Sequence, residues 1–135
     1  MKLLLTTIFF FICFFQSFSQ IGFDKNKPFT ILHSKRGITR QSSATDTLAC
    51  KDWLIPQKAL SKIIRNCKLI SGTEWDLTFD VLPCIITGKL KQNGKIYQFE
   101  INAGSWLYVF ANGKSIILGD YNKSDKKYFV SFPDN

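Results

Sequence analysis

The sequence predicts an α+β domain in which one N-terminal helix packs on an antiparallel β-meander of about five to six strands. Two observations lead to this prediction. A stretch after residue 55 carries its apolar residues at helical spacing, and two Asn-Gly pairs further along each lie between runs with the composition of strands. Asn-Gly in that setting is the strongest short-range indication of a β-hairpin.

The first 19 residues predict a cleavable secretory signal. Lys2 precedes an uncharged apolar run of 13 residues, Leu3–Phe15, and Ser17 and Ser19 supply small residues before the expected cleavage at Gln20. A helix that spans a bilayer needs about 20 apolar residues. We therefore expect an exported protein, periplasmic or secreted, without stable insertion in the membrane after cleavage.

The chain that remains after cleavage is small and basic. It has 116 of the 135 residues, with 17 Lys and Arg against 10 Asp and Glu, a net charge of +7. Residues 20–47 predict a polar, basic and partly flexible arm, within which Phe29–Leu32 has the composition of an edge strand. Residues 48–135 hold the single predicted domain. The charge favours an anionic partner, and the export signal argues against nucleic acid.

The predicted helix runs from Pro56 to about Lys68. Its apolar residues fall on one face: Leu60, Ile63, Ile64 and Cys67. Proline fits the first turn of a helix. Downstream, residues 75–81 alternate apolar and polar side chains, which predicts a strand, and residues 126–132 predict a last strand.

The two hairpins have a predicted register. With Asn93 and Gly94 as loop residues, apolar positions face each other: Leu90 and Tyr97, Gly88 and Phe99, Ile86 and Ile101. A slip of one residue would destroy this agreement. With Asn112 and Gly113 as the second loop, both faces of the hairpin are apolar. Such a strand is either buried on both sides or faces a partner.

Three cysteines, Cys50, Cys67 and Cys84, remain after signal cleavage. An odd number in an oxidising compartment predicts one disulfide and one buried thiol. The pair Cys50 and Cys67 closes the shortest loop, but Cys67 lies on the apolar helix face and is equally suited to be the buried thiol. His33 is the only histidine, so neither a Cys-His nucleophile nor a zinc site is expected, and no cofactor is predicted.

Three acidic residues, Glu74, Asp76 and Asp80, lie at alternate positions of the predicted strand. Side chains two residues apart on one strand face are about 7 Å apart, within the range of glycosidase carboxylates. None of these acids lies in an apolar stretch that would raise its pKa for acid catalysis, so a solvated strand face is the preferred interpretation.

Trp106 and Tyr108 also occupy alternate positions, after the bend at residues 102–105. Large aromatic side chains anchor interfaces or stack on sugar rings, and they also cap hydrophobic cores. As an interface, this face would have a basic rim from Lys89, Lys91 and Lys114.

No catalytic or metal-binding motif is present, so the sequence favours a protein that acts by binding. The leading hypothesis is an inhibitor or immunity-type protein that neutralises a toxin or lytic enzyme directed at the cell envelope. The alternatives are a small glycan-binding or glycan-active envelope protein that uses Glu74, Asp76 and Trp106, and a structural envelope component.

Overall fold

The computed structural model describes residues 21–39 and 44–134. Its strands are β1 (Thr30–Ile38), β2 (Lys68–Ile70), β3 (Cys84–Gln92), β4 (Lys95–Asn102), β5 (Trp106–Ala111) and β6 (Lys114–Gly119). They form one antiparallel sheet in the order β1-β3-β4-β5-β6-β2. The helices in the described ranges are α1 (Ala44–Cys50), α2 (Gln57–Asn66), α3 (Gly72–Thr78) and a 3₁₀ helix (Lys123–Tyr128). The α+β class is confirmed, but a single N-terminal helix is not.

Both predicted hairpins form in the predicted register. Leu90 pairs with Tyr97 across the first loop, and Val109 pairs with Ile116 across the second. The loop residues have positive φ, 48° and 76° at Asn93 and Gly94 and 53° and 73° at Asn112 and Gly113. Two-residue loops with positive φ at both positions match the twist of the strands they join.

Gly88 of β3 lies beneath the ring of Phe99 on β4. A Cβ atom at this glycine would come within 2.5 Å of Phe99 Cζ and within 2.4 Å of the His33 carbonyl oxygen. The missing side chain therefore lets the ring cover the strand and lets β1 approach closely, as the pairing of Gly88 with Phe99 predicted.

Helix α2 lies within the range predicted for a helix and supplies the centre of the main core. Its buried face consists of Ala59, Leu60, Ile63 and Ile64, and Cys67 just beyond the helix is also buried. Fully burying a Leu or Ile side chain stabilises a fold by about 1.5–3 kcal/mol. These side chains share one hydrophobic cluster with Leu90, Phe99 and Leu107 of the sheet, and we call the sheet face that carries those three residues the core face.

The strand predicted for residues 75–81 is wrong, because most of that stretch forms α3. The Ser71 side-chain oxygen accepts a hydrogen bond from the Glu74 backbone N–H at 3.1 Å. Ser followed by Glu three residues later is a helix-capping pattern that the alternation concealed. Trp75 and Phe79, four residues apart, turn towards the sheet, whereas Leu77 is 80% exposed.

The last predicted strand is also wrong. Residues 123–128 form the 3₁₀ helix, which begins after Asn122, whose side chain accepts a hydrogen bond from the Ser124 backbone N–H. After it the chain is fastened by individual contacts: Trp53 Nε1 donates to the Tyr128 carbonyl, and the Val130 N–H donates to the Ala103 carbonyl. Local side-chain caps of this kind compete with strand pairing.

Part of the predicted polar arm belongs to the sheet. Residues 30–38 form the edge strand β1, which pairs with β3 from Thr30 with Lys91 to Ile38 with Cys84, with an irregularity between Ile31 and His33. The edge strand expected around residues 29–32 is therefore longer than its composition indicated. The remainder of the arm that precedes α1 includes residues 40–43, which lie outside the described ranges.

Cys50 and Cys84 form a disulfide with an S–S distance of 2.07 Å, which joins the end of α1 to the start of β3. Cys67 is a buried free thiol. One disulfide and one buried thiol were expected, but the pair that closes the shortest loop does not form, because Cys67 faces the core. Burial, with the nearby charges of Asp120 and Asp125, raises the pKa of the Cys67 thiol.

The disulfide is compatible with an exported protein. The predicted signal, residues 1–19, lies outside the described ranges. Among the helices described, none combines the length and apolar character needed to cross a bilayer.

Candidate functional site

The sheet face opposite the core face is only partly covered. We call it the second face; it carries Thr87 and Lys89 of β3, Gln98 and Glu100 of β4, and Trp106 and Tyr108 of β5. Helix α3 and the residue after it cover one end, where Phe79 and Trp75 pack with Ile70 and Trp106 in a second hydrophobic cluster. The end towards β1 has no such cover in the described part of the chain.

Trp106 belongs to the covered end. Its side chain is 3% exposed, and its indole Nε1 donates a hydrogen bond to the Asp80 carbonyl at 2.9 Å. The ring meets Trp75 and Tyr108 edge-on, with centroids 5.2 and 5.1 Å apart. The indole thus projects on the same face as Tyr108, as the alternation predicted, but it packs in the interior and offers no free ring face to a partner.

Tyr108 marks the border between the covered and open parts of the second face. It is partly buried and lies directly opposite Glu100, which in turn pairs with Thr87. Thr87 pairs with Lys35 of the edge strand. A phenol, a carboxyl, a hydroxyl and an ammonium group therefore follow one another across four neighbouring strands, because directly paired residues point to the same side of a sheet.

Glu100 stands out in this row because it is partly buried and makes no hydrogen bond or ion pair with another described residue. Burial raises the pKa of its carboxyl group. Burial and the charge of Glu100 together raise the pKa of the Tyr108 phenol. Lys35, Thr87 and Glu100 line a surface depression of about 630 Å³ beside the edge strand.

Exposed cations flank this depression. Lys89 pairs with His33, and Lys91 pairs with Thr30, so both lysines and the histidine lie on the second face together with Lys35. All four basic side chains are exposed, and within the described ranges none makes a hydrogen bond or an ion pair. We call Lys35, Glu100, Tyr108, Lys89 and Lys91 the open half of the second face.

Lys114 does not lie on this rim. It pairs with Ala111, and Ala111 packs against the main core, so the alternation of β6 directs Lys114 to the core-face side at the hairpin end. The sequence placed it near Lys89 because hairpin position alone does not say which face a loop-flanking residue takes.

The three carboxylates predicted to share a strand face are separated. Glu74 lies in the first turn of α3, where its Oε1 accepts a hydrogen bond from the Tyr121 hydroxyl at 2.5 Å, and Asp80 accepts one from the Ser131 hydroxyl. Their common face was a consequence of the wrong strand assignment. His33 lies on the second face of the sheet, whereas Cys67 is buried in the main core on the other side. No group of three or more metal-ligating side chains occurs in the described part of the chain.

The sequence missed Lys35 and Glu100 as parts of one surface. The pairing of Thr87 with Glu100 was available from the first hairpin, where both are polar and point away from the core. Lys35 was not, because nothing in the polar arm indicated that β1 pairs with β3.

The chain matches no protein-family model, and neither a curated protein nor a solved structure is significantly similar to it.

Proposed function

We propose that this is an exported binding protein of the inhibitor or immunity type, which neutralises an envelope-directed toxin or lytic enzyme in a one-to-one complex through the open half of the second face. The observation that carries the proposal is a sheet surface that no described element covers, on which lysines without a described partner lie beside the partly buried Tyr108 and Glu100.

Protein interfaces place aromatic side chains at the centre and charged ones at the rim. Tyr108 supplies the aromatic side chain at the inner border of the open half, with Phe110 two residues further along the same strand and the same face. Both are partly buried, so they keep apolar area that a partner would cover. Lys35, Lys89 and Lys91 form the rim.

The charge of the surface indicates the kind of partner. Three lysines that form no ion pair within the described ranges, together with a mature net charge of +7, attract an acidic surface, such as an active-site cleft that contains catalytic carboxylates. Attraction of this kind speeds association and weakens as salt is added. Glu100 lies beside this rim, where it would accept a hydrogen bond from the same partner or form an ion pair with one of its cationic side chains.

The test begins with capture of partners from periplasmic extract, and of the product of the adjacent gene, on immobilised mature protein. A captured enzyme must then lose its activity at a one-to-one ratio. Lys89→Glu with Lys91→Glu, and separately Tyr108→Ala, should weaken inhibition at least about tenfold, which corresponds to about 1.4 kcal/mol of binding free energy.

The matched control is Lys58→Glu with Lys62→Glu, which makes the same charge change at exposed positions of α2, on the other side of the sheet. This variant should inhibit like the wild type apart from a small loss in association rate. Equal losses in both double variants would show that net charge, and not this surface, drives binding. Binding to peptidoglycan or polysaccharide without a protein partner would favour the glycan alternative, and no binding at all would favour the structural one.

A further inference from the structure

Two aspartates are buried next to each other between the sheet and the C-terminal segment. Asp120 directly follows β6 and Asp125 lies in the 3₁₀ helix, and both side chains are 0% exposed. Asp120 Oδ1 accepts a hydrogen bond from the Asn122 backbone N–H at 2.8 Å, and Asp125 Oδ2 accepts one from Asn66 Nδ2 at 2.6 Å. Asp120 Oδ2 is buried and has no hydrogen-bond partner among the residues that the structure describes.

A proton on one of the two carboxyl groups would give the unpartnered Asp120 oxygen a hydrogen bond. Two buried carboxylates in contact cannot both carry a charge, so one retains a proton and donates it to the other. Burial raises the pKa of Asp120 to about 7. The hydrogen bond from the Asn122 N–H opposes this rise, and the charge of Asp125 and a hydrogen bond with it add to the rise in smaller measure. The proton supplies the hydrogen bond that Asp120 Oδ2 otherwise lacks.

The other ionisable groups around the pair do not neutralise it. Cys67, at the end of α2, is buried beside both carboxyls and its thiol is itself neutral because its pKa is raised. The Lys25 ammonium acts on Cys67, but it donates its hydrogen bond to the Arg65 carbonyl on the surface. A divalent cation is a poorer fit than a proton, since calcium takes about six to eight oxygen ligands.

We propose that Asp120 and Asp125 share one proton in the native protein, and that loss of this proton in the neutral range loosens the segment 120–129 and exposes Cys67. The direction of the pH effect follows from the linkage between proton binding and folding. A carboxyl that holds its proton more tightly in the folded state than in the unfolded state contributes stability that is complete in acid and is lost as pH rises, here between about 4 and about 7. The segment 120–129 is therefore held most firmly against the core at mildly acidic pH.

Asp120→Asn tests the shared proton directly. The Asn amide oxygen can accept the Asn122 N–H while its NH₂ group donates to Asp125, which reproduces the protonated pair at every pH. Urea unfolding of the mature protein from pH 5 to pH 8.5 in EDTA should show the variant gaining on the wild type as pH rises. The ratio of their unfolding constants should change by up to about tenfold per pH unit below neutrality. Asp76→Asn, at an exposed carboxyl, is the control and should show no such trend.

The second readout is the rate at which iodoacetamide alkylates Cys67. The wild type should react faster than Asp120→Asn at pH 8, and the ratio of the two rates should fall steadily as the pH is lowered towards 4. A difference between the two proteins that does not vary with pH, or a variant less stable at all pH values, would overturn the proposal. Calcium that raises the unfolding midpoint of the wild type but not of the variant would also overturn it, since the orphaned oxygen would then belong to a cation site.

If the variant does not fold, carbon-13 titration of the wild-type carboxyl groups decides: one aspartate should titrate near neutrality, and titration of all of them in acid would refute the shared proton.

Discussion

Among the residues of the second face, substitution of Trp106 gives the clearest test between a role in the core and a role in binding. Truncating a buried Trp or Phe to Ala destabilises proteins by about 3–5 kcal/mol. The indole is 3% exposed and packs against Trp75 and Tyr108, so Trp106→Ala should fall within that range. For a domain of this size, such a loss lowers the Tm by roughly 10–20 °C. Urea and thermal unfolding of the mature protein measure both quantities.

Two further variants show which contacts of the indole account for the loss of stability. Trp106→Phe keeps most of the ring but removes the hydrogen bond to the Asp80 carbonyl, so it should cost about 1–2 kcal/mol. Tyr108→Ala, at a partly buried position, should cost about 1 kcal/mol while affecting binding much more. A loss below about 1 kcal/mol in Trp106→Ala would refute the assignment of the indole to the core and return it to the candidate anchors.

Three further predictions concern the loop, the disulfide and the signal. Gly94→Val should destabilise the fold by about 1 kcal/mol or more in urea melts, because φ is 76° and a side chain there strains the backbone; no described neighbour lies within 4 Å of the new Cβ. An unchanged melt would contradict the turn geometry. Cys50→Ser should cost about 3–4 kcal/mol, since the bridge closes a separation of 34 residues, and reductant should bring the wild type to the same level while leaving the variant unaffected. Intact-mass measurement of exported protein should show a chain that begins at Gln20, whereas a retained signal or a lipid adduct would contradict the predicted cleavage.

The hairpins were predictable because their determinants are local. Asn-Gly fixes a two-residue loop, and the alternation on both sides then allows a single register. Helix α2 was predictable for the same reason, since Leu60, Ile63 and Ile64 recur at helical spacing within ten residues.

The errors arose where two local patterns competed. Residues 75–81 alternate like a strand, but Ser71 and Glu74 cap a helix. The helix turns Trp75 towards the sheet together with Phe79, the residue that follows it, and there Phe79 is buried and Trp75 partly buried. β1 was underestimated because its side chains are mostly exposed, so its composition resembles a polar arm. The position of β1 depends on backbone pairing with β3, and the sequence of β1 alone does not indicate this pairing.

Position on the open half could be predicted for Tyr108, Lys89 and Lys91, because each follows from hairpin register. Lys35 and Glu100 become neighbours only through the order of strands in the sheet. Burial of Trp106 depends on α3, which the sequence did not predict. The register therefore predicted that Tyr108, Lys89 and Lys91 share a face, whereas Trp106 lies at the covered end of that face.

Glu100 occupies a position that is unfavourable for the free protein. A partly buried carboxylate without a hydrogen-bond donor loses hydration and gains nothing in return, and burial accordingly raises its pKa. Because the folded state holds this proton more tightly, the group's contribution to stability is lost as pH rises through the raised pKa. Glu100→Gln should therefore make the free protein more stable at pH 7 than the wild type, with the difference disappearing in acid, as urea unfolding at both pH values would show. If a partner supplies the missing donor or cation, the same substitution should weaken the complex, as expected where a protein sacrifices stability at a functional surface. A loss of stability on Glu100→Gln would contradict this account, since it would mean that the carboxylate is already satisfied within the chain.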